Sequence, residues 1–221
     1  MHPHLRSRHR RASYDPAAYT PDLLAHWISE GERQAAKDRV LLPRIAALLG
    51  PGRVLELGAG AGQLAAAAAR ARVRRSRVRL RPVLRRASRL AWSDARRVDA
   101  VDIAAAGLGR FPNIFAQSIT PLITSDRDVI LATYRSLRAA LEPRDRLVHI
   151  DAQAGRGELA ATMRAHAELA SEAGLRDVRV LRNQLLPSRA YEPPLTDLAG
   201  FADRLLGTRL GSRFVLAATA E

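Results

Sequence analysis

Glu56-Leu57-Gly58-Ala59-Gly60-Ala61-Gly62 places one carboxylate near the end of the short strand-like stretch Arg53–Leu57 and three glycines directly after it. Glycine lacks a Cβ, so the backbone of such a turn can come close to a ligand. Gly58 and Gly60 supply the close approach; Gly62 allows the helix to pack tightly on the strand. A dinucleotide fingerprint has glycine or alanine at the sixth position of G-x-G-x-x-G, whereas Gln63 stands there and the glycine comes one residue early. Glu56, two residues before the first glycine, repels a pyrophosphate and attracts an ammonium group. The chemistry favoured is therefore capture of a ligand that carries a cationic amine.

The elements around this turn alternate between strands and helices. Residues 1–13 read as a mobile basic tail, and residues 14–221 as a single domain. Within it, 14–50 form two leading amphipathic helices, the first opening at Thr20 with Pro21 behind it, the second ending before Gly50-Pro51-Gly52. The core, 51–221, opens with strand Arg53–Leu57, the glycine turn and the helix QLAAAAARA. Weak strand Val78–Leu80 follows, then a helix Pro82–Ala91, strands Val98–Ile103 and Asn113–Gln117, and a helix capped by Ser125 that stops before Pro143. Its apolar positions are Val129, Ile130, Thr133, Leu137 and Leu141. Strand Arg146–Asp151, helix Gly157–Ala173 closed by Gly174, strand Asp177–Leu181, helix Thr196–Leu206 and strand Arg213–Ala218 complete the chain. This alternation specifies a three-layer α/β domain with a mostly parallel sheet of about seven strands and helices on both faces, the last two strands pairing as an edge unit. Ligands of such sheets sit at the carboxyl ends of the strands, beside the first turn.

RVLELGAGAGQLAAAAARA resembles the first motif of the class I S-adenosylmethionine-dependent methyltransferases, in particular the small-molecule type of quinone and natural-product biosynthesis. NIFAQSITPL is similar to that family's fourth-strand segment, LRAALEPRDRLVHID to its helix and fifth strand, and EAGLRDVRV to its sixth-strand entry, so the likeness covers roughly residues 50–219. It implies a Rossmann-like fold, S-adenosyl-L-methionine as cofactor and a small-molecule methyl acceptor. It further implies that Glu56, Gly58, Ala59, Gly60 and Gly62 hold the amino-acid end of the cofactor. Asp102 would reach the adenine amine, Ile103 would pack on the ring, and Gln117 and Ser118 would run beneath the methionyl part. In the family, pocket-lining residues come from the leading helices and from the segment before the last strand, here LLPSRAYEPPLTDLAGFADRLL.

Three places depart from the pattern: mildly at Arg144-Asp145, where the family has Gly-Gly, and at Phe111-Pro112, where it has Phe-Asp, and more seriously at strand two. The family usually carries an acid at the end of strand two that accepts both ribose hydroxyls; the matching residue is Arg79, 23 residues after Glu56, and a guanidinium only donates. Arg79 lies within RVRRSRVRLRP, residues 72–82, which holds six arginines. Three readings stand side by side: a local reading-frame slip in a GC-rich gene, a basic face for phosphates, or a solvated segment without a role. The same departure admits a methyltransferase-fold protein that no longer binds cofactor and does not catalyse.

The net charge is +14, but its distribution is uneven. Residues 1–11 carry four arginines and no acid, residues 70–97 twelve arginines against Asp94, and the rest 20 basic and 21 acidic residues. The basic segment keeps a nucleic-acid methyltransferase in view as the alternative. Against it, SITPL after strand four lacks the Asn/Asp-Pro-Pro-aromatic signature of enzymes that methylate bases, and aromatics are 5% of the chain, few for stacking. There is no cysteine, hence no disulfide and no thiolate nucleophile. His2, His4 and His9 have no partner ligands at a metal-site spacing, so no metal is expected. No apolar run reaches the length of a membrane span and no signal-like segment follows the basic start, so a cytoplasmic protein is expected. No catalytic residue is named. His149, alternating with Asp151 on strand five, is expected to be a satisfied core histidine. Tyr14, Tyr19 and Trp27 either cover the cofactor or pack the leading helix on the sheet.

Overall fold

The computed structural model describes residues 40, 41, 44, 45, 47–50, 52–58, 100–103, 107–123, 126–151, 159–192 and 194–221. In chain order the regular elements are β1 (Leu55–Leu57), β2 (Phe111–Gln117), α1 (Arg127–Ala139), β3 (Leu141–Asp151), α2 (Leu159–Glu172), β4 (Arg176–Asn183), α3 (Thr196–Leu210) and β5 (Arg213–Thr219). The strands form one sheet in the order β1-β2-β3-β5-β4. β1, β2 and β3 are parallel, and β5 runs antiparallel to both β3 and β4. The carboxyl ends of β1 to β4 therefore share one edge of the sheet, and β5 starts from that edge.

β3 shows why the sheet is covered on both sides. Residues Leu147 to Ile150 are all buried, the unbroken run of a strand packed on two faces. Leu147 belongs to a core with Leu131, Tyr134, Leu137 and Leu169 of α1 and α2. Val148 and Ile150 belong to the opposite core, with Leu41, Ile45 and Leu49. Val40, Leu41, Arg44, Ile45, Ala47 and Leu48 are helical, the described remnant of the second leading helix. Its end is fastened to β2 where the Gly50 N–H donates to Asn113 Oδ1 at 2.6 Å. β4 lies at the edge, and its Arg176, Arg179 and Arg182 oppose further strand pairing.

Several expectations shift in the folded chain. Strand 98–103 does not form at its described residues: Ala100, Val101 and Ile103 lie in turns, and the Ile103 N–H donates to Ser136 Oγ at 2.9 Å instead of to a ladder. Strand Val78–Leu80, helix Pro82–Ala91, the tail 1–13 and all of 14–39, with Tyr14, Tyr19 and Trp27, lie outside the described residues, within which the strands number five. The cap of α1 is Asp126, whose carboxylate accepts from the Asp128 and Val129 N–H groups; two backbone donors and the helix dipole favour a carboxylate there. Pro143 lies beyond the end of α1, as expected, but falls inside β3, which begins earlier than expected. The β2 and β3 registers jump from Phe111↔Leu141 to Asn113↔Arg146, leaving Glu142–Asp145 out of that ladder, where a proline costs no hydrogen bond. The last two strands pair antiparallel at the sheet's end, yet β5 lies inside β4 because α3 carries the chain back across it.

Candidate functional site at the carboxyl edge of the sheet

β1 and β2 bring four of the expected residues to one corner. Glu56 pairs in register with Phe115, and Leu57 with Ala116, so both strands end together. Gly58 follows at φ +75°, and a Cβ there would strike the Gln117 carbonyl and come within 2.8 Å of Ile119 Cγ2. Only glycine fits this approach. Ser118 is itself in the left-handed region, φ +47°, held by its N–H donating to the Ile150 carbonyl of β3 at 2.9 Å. Gly58 and Ser118 face solvent while Glu56 and Gln117 are half-buried, so the corner presents a carboxylate, a glycine backbone, a carboxamide and a hydroxyl.

Ile103 is 1% exposed and belongs to the same core cluster as Leu57, and Asp102 beside it is exposed. Ile103 thus meets protein side chains in this conformation. Ala59, Gly60, Gly62 and Arg79 lie outside the described residues.

Two polar clusters escaped sequence reading. In the first, the buried Tyr134 hydroxyl lies 3.0 Å from His149 Nδ1 and 2.8 Å from His166 Nδ1, with Phe214 edge-on to the His149 ring. The phenol has one hydrogen, so one histidine accepts it and the other donates its Nδ1–H to the oxygen. Burial holds both rings neutral: it pushes His149 well below its usual range, aided by His166, and lowers His166 to about 4. His149 is therefore a core histidine, as expected, though its Nε2 finds no hydrogen-bond partner among the described residues. The only sequence signal was spacing, which puts Tyr134 four residues after Ile130 and His166 three after Met163.

The second cluster joins α3 to both of its neighbours. Asp203, fully buried, accepts from the Leu185 N–H through Oδ1 at 2.8 Å and from the Tyr191 hydroxyl through Oδ2 at 2.8 Å. Its backbone carbonyl accepts from Arg44 Nη2 at 2.5 Å. Burial and the Asp203 hydrogen bond raise the Tyr191 pKa. One acid thus ties the leading helix and the 184–191 loop to α3, at the carboxyl end of β4. Gly207 is required beside it, since a Cβ would collide with the Asp203 carboxylate.

No family model and no curated protein sequence match the chain. Solved structures do. A SAM-dependent methyltransferase of Thermotoga maritima superposes with TM-score 0.54 at 14% identity, over 89% of this chain and 97% of that one. The S-adenosylmethionine-dependent methyltransferase SibL, in its apo form, gives 0.52 at 16%, over 92% of this chain and 60% of SibL. The Haloferax volcanii complex of the Trm112 methyltransferase activator and its partner gives 0.50 at 15%, over 91% and 99%. The chain has the class I SAM-dependent methyltransferase fold. Among the described residues no helix is long and apolar enough to cross a membrane, and no group of three acidic or histidine side chains is placed to hold a metal.

Proposed function

We propose that the protein binds S-adenosyl-L-methionine at the corner formed by β1 and β2 and transfers its methyl group to a small-molecule acceptor, of the kind modified in quinone or natural-product biosynthesis. The observation that carries this reading is the Gly58 turn, which lies against the Gln117 carbonyl so closely that a side chain is excluded. A backbone cradle beside a carboxylate suits a ligand whose amino-acid end carries an ammonium and a carboxylate. When bound, the cofactor supplies an electrophilic methyl on a sulfonium.

In this reading Glu56 faces the ammonium, and Gly58, Ala59, Gly60 and Gly62 present backbone to the amino-acid end. Gln117 and Ser118 line the methionyl part, while Asp102 accepts from the adenine amine and the buried Ile103 anchors that turn in the core. Arg79 stands where a ribose-binding acid would be. An in-line methyl transfer asks the protein to align two reactants and exclude water. The cluster around Asp203 fixes the 184–191 loop and the leading helix, the two segments that would border the acceptor.

Calorimetric titration with S-adenosylmethionine and S-adenosylhomocysteine tests the reading. Micromolar binding is expected, weakened by Glu56→Gln by roughly tenfold for loss of one charge-assisted contact. A chain that retains its thermal transition but takes up neither compound, even with Arg79 replaced by aspartate, would refute the reading.

A further inference from the structure

α3 is inverted relative to an ordinary surface helix. It buries its small and polar residues, Ala199, Gly200, Asp203 and Gly207, against the leading helix and the 184–191 loop, where Gly200 leaves room for Val40. Its large apolar residues point outward: Leu198 is 66% exposed, Phe201 55% and Leu205 59%, with Leu206 and Leu210 on the flank. The i, i+3, i+7 spacing of the first three makes a continuous seam, and exposed apolar seams of this kind mark surfaces that bury against a partner. Six of the seven exposed large apolar residues among the described residues lie on α3 or at its Leu195 cap.

We infer that this seam is a self-association surface, on which α3 pairs antiparallel with α3 of a second copy about a two-fold axis near Phe201. The charges beside the seam select this occupant. Asp197 and Arg204 are both exposed, stand seven residues apart on the same flank, and have no ion-pair partner among the described residues. A two-fold axis between Gly200 and Phe201 reverses the helix direction but keeps that flank together. Asp197 of each copy then faces Arg204 of the other, giving two ion pairs around a core of stacked Phe201 rings. A parallel two-fold pairing would turn that flank against the partner's opposite flank and leave Asp197 and Arg204 apart, so the antiparallel arrangement is the one that pairs them.

Sedimentation velocity of the full chain over a range of concentrations tests this. A reversible dimer is expected, lost in Phe201→Glu, while the thermal transition of the monomer is kept because the side chain is exposed. Asp197→Arg and Arg204→Asp singly should each weaken the dimer by roughly tenfold, and the double reversal should restore it. Restoration is specific to the two-fold geometry and does not depend on how Phe201→Glu folds. A monomer at every concentration, a dimer that survives Phe201→Glu, or a double reversal that fails to restore association would each overturn the inference. The first of these outcomes, accompanied by a lowered melting temperature in Phe201→Glu, would assign the seam to another segment of the same chain.

Discussion

At the scale of residues, the core's chemistry is governed by the Tyr134–His149–His166 cluster. Both histidines are neutral in the folded chain, with His166 titrating at about 4 and His149 also depressed, against a value near 6.5 when unfolded. The unfolded chain therefore binds more protons than the folded one between these values. By linkage, stability is intact above about pH 6.5 and falls as pH drops toward 4, because unfolding gains the protons that the buried rings refuse. Thermal melts at pH 7.5, 6 and 5 should show a falling midpoint, and His166→Gln should flatten that fall. An unchanged pH profile in this variant would mean that His166 is protonated in the folded chain after all. The positive-φ positions follow the same logic of local constraint. Gly58 is dictated by a neighbouring carbonyl, whereas Ser118 tolerates the left-handed region because its N–H is engaged by β3.

Elements show where the sequence was legible. β2, β3, α1, α2, β4 and β5 were readable from periodicity because each buries one apolar face, or two in the case of β2 and β3; Gly174 marked the end of α2, whereas the start of α1 was read at Ser125, one residue before its cap Asp126. The reading failed where a residue's partner is remote in sequence. Ser136 takes the Ile103 N–H from 33 residues away, so an alternating VDAVDI does not continue as a strand. The long bulge at Glu142–Asp145 was hidden behind a proline that looked like a helix stop. Of the candidate site, the Gly58 turn was legible because glycine spacing is local, and its closeness to Gln117 and Ser118 followed from parallel β1 and β2. Asp203 was invisible: a carboxylate in an apolar helix resembles a solvated residue until the loop and Arg44 close over it. Its role is testable at this scale. Asp203→Ala should cost about 2–4 kcal/mol by stranding the Tyr191 hydroxyl and the Leu185 N–H. Hydrogen exchange should accelerate at Leu185 and through the 184–191 loop, with Asp203→Asn milder because one oxygen acceptor remains. Uniform acceleration across the sheet would instead mark Asp203 as a general stability residue.

For the whole molecule, the unresolved balance is between a near-neutral body and the concentrated positive charge of residues 70–97. The family resemblance aligns Arg79 with a ribose-binding carboxylate, and a guanidinium there only donates. A carboxylate that accepts two ribose hydroxyls contributes roughly 1.5–3 kcal/mol, so Arg79→Asp is expected to tighten S-adenosylmethionine binding by about ten- to a hundredfold. The same titration sorts the readings of the arginine run. If the unaltered chain binds at micromolar concentration and the variant binds tighter, the segment is tolerated and the site is a working one with a weak ribose contact. If only the variant binds, the arginines have removed the cofactor, and a slip in the gene or loss of catalysis explains the chain. If the variant changes nothing in a chain that does bind, position 79 does not face the ribose. Retention on immobilised RNA then separates a phosphate-binding face from a solvated one, since several phosphate contacts make binding fall steeply with added salt, while a solvated segment gives retention that is weak at every ionic strength.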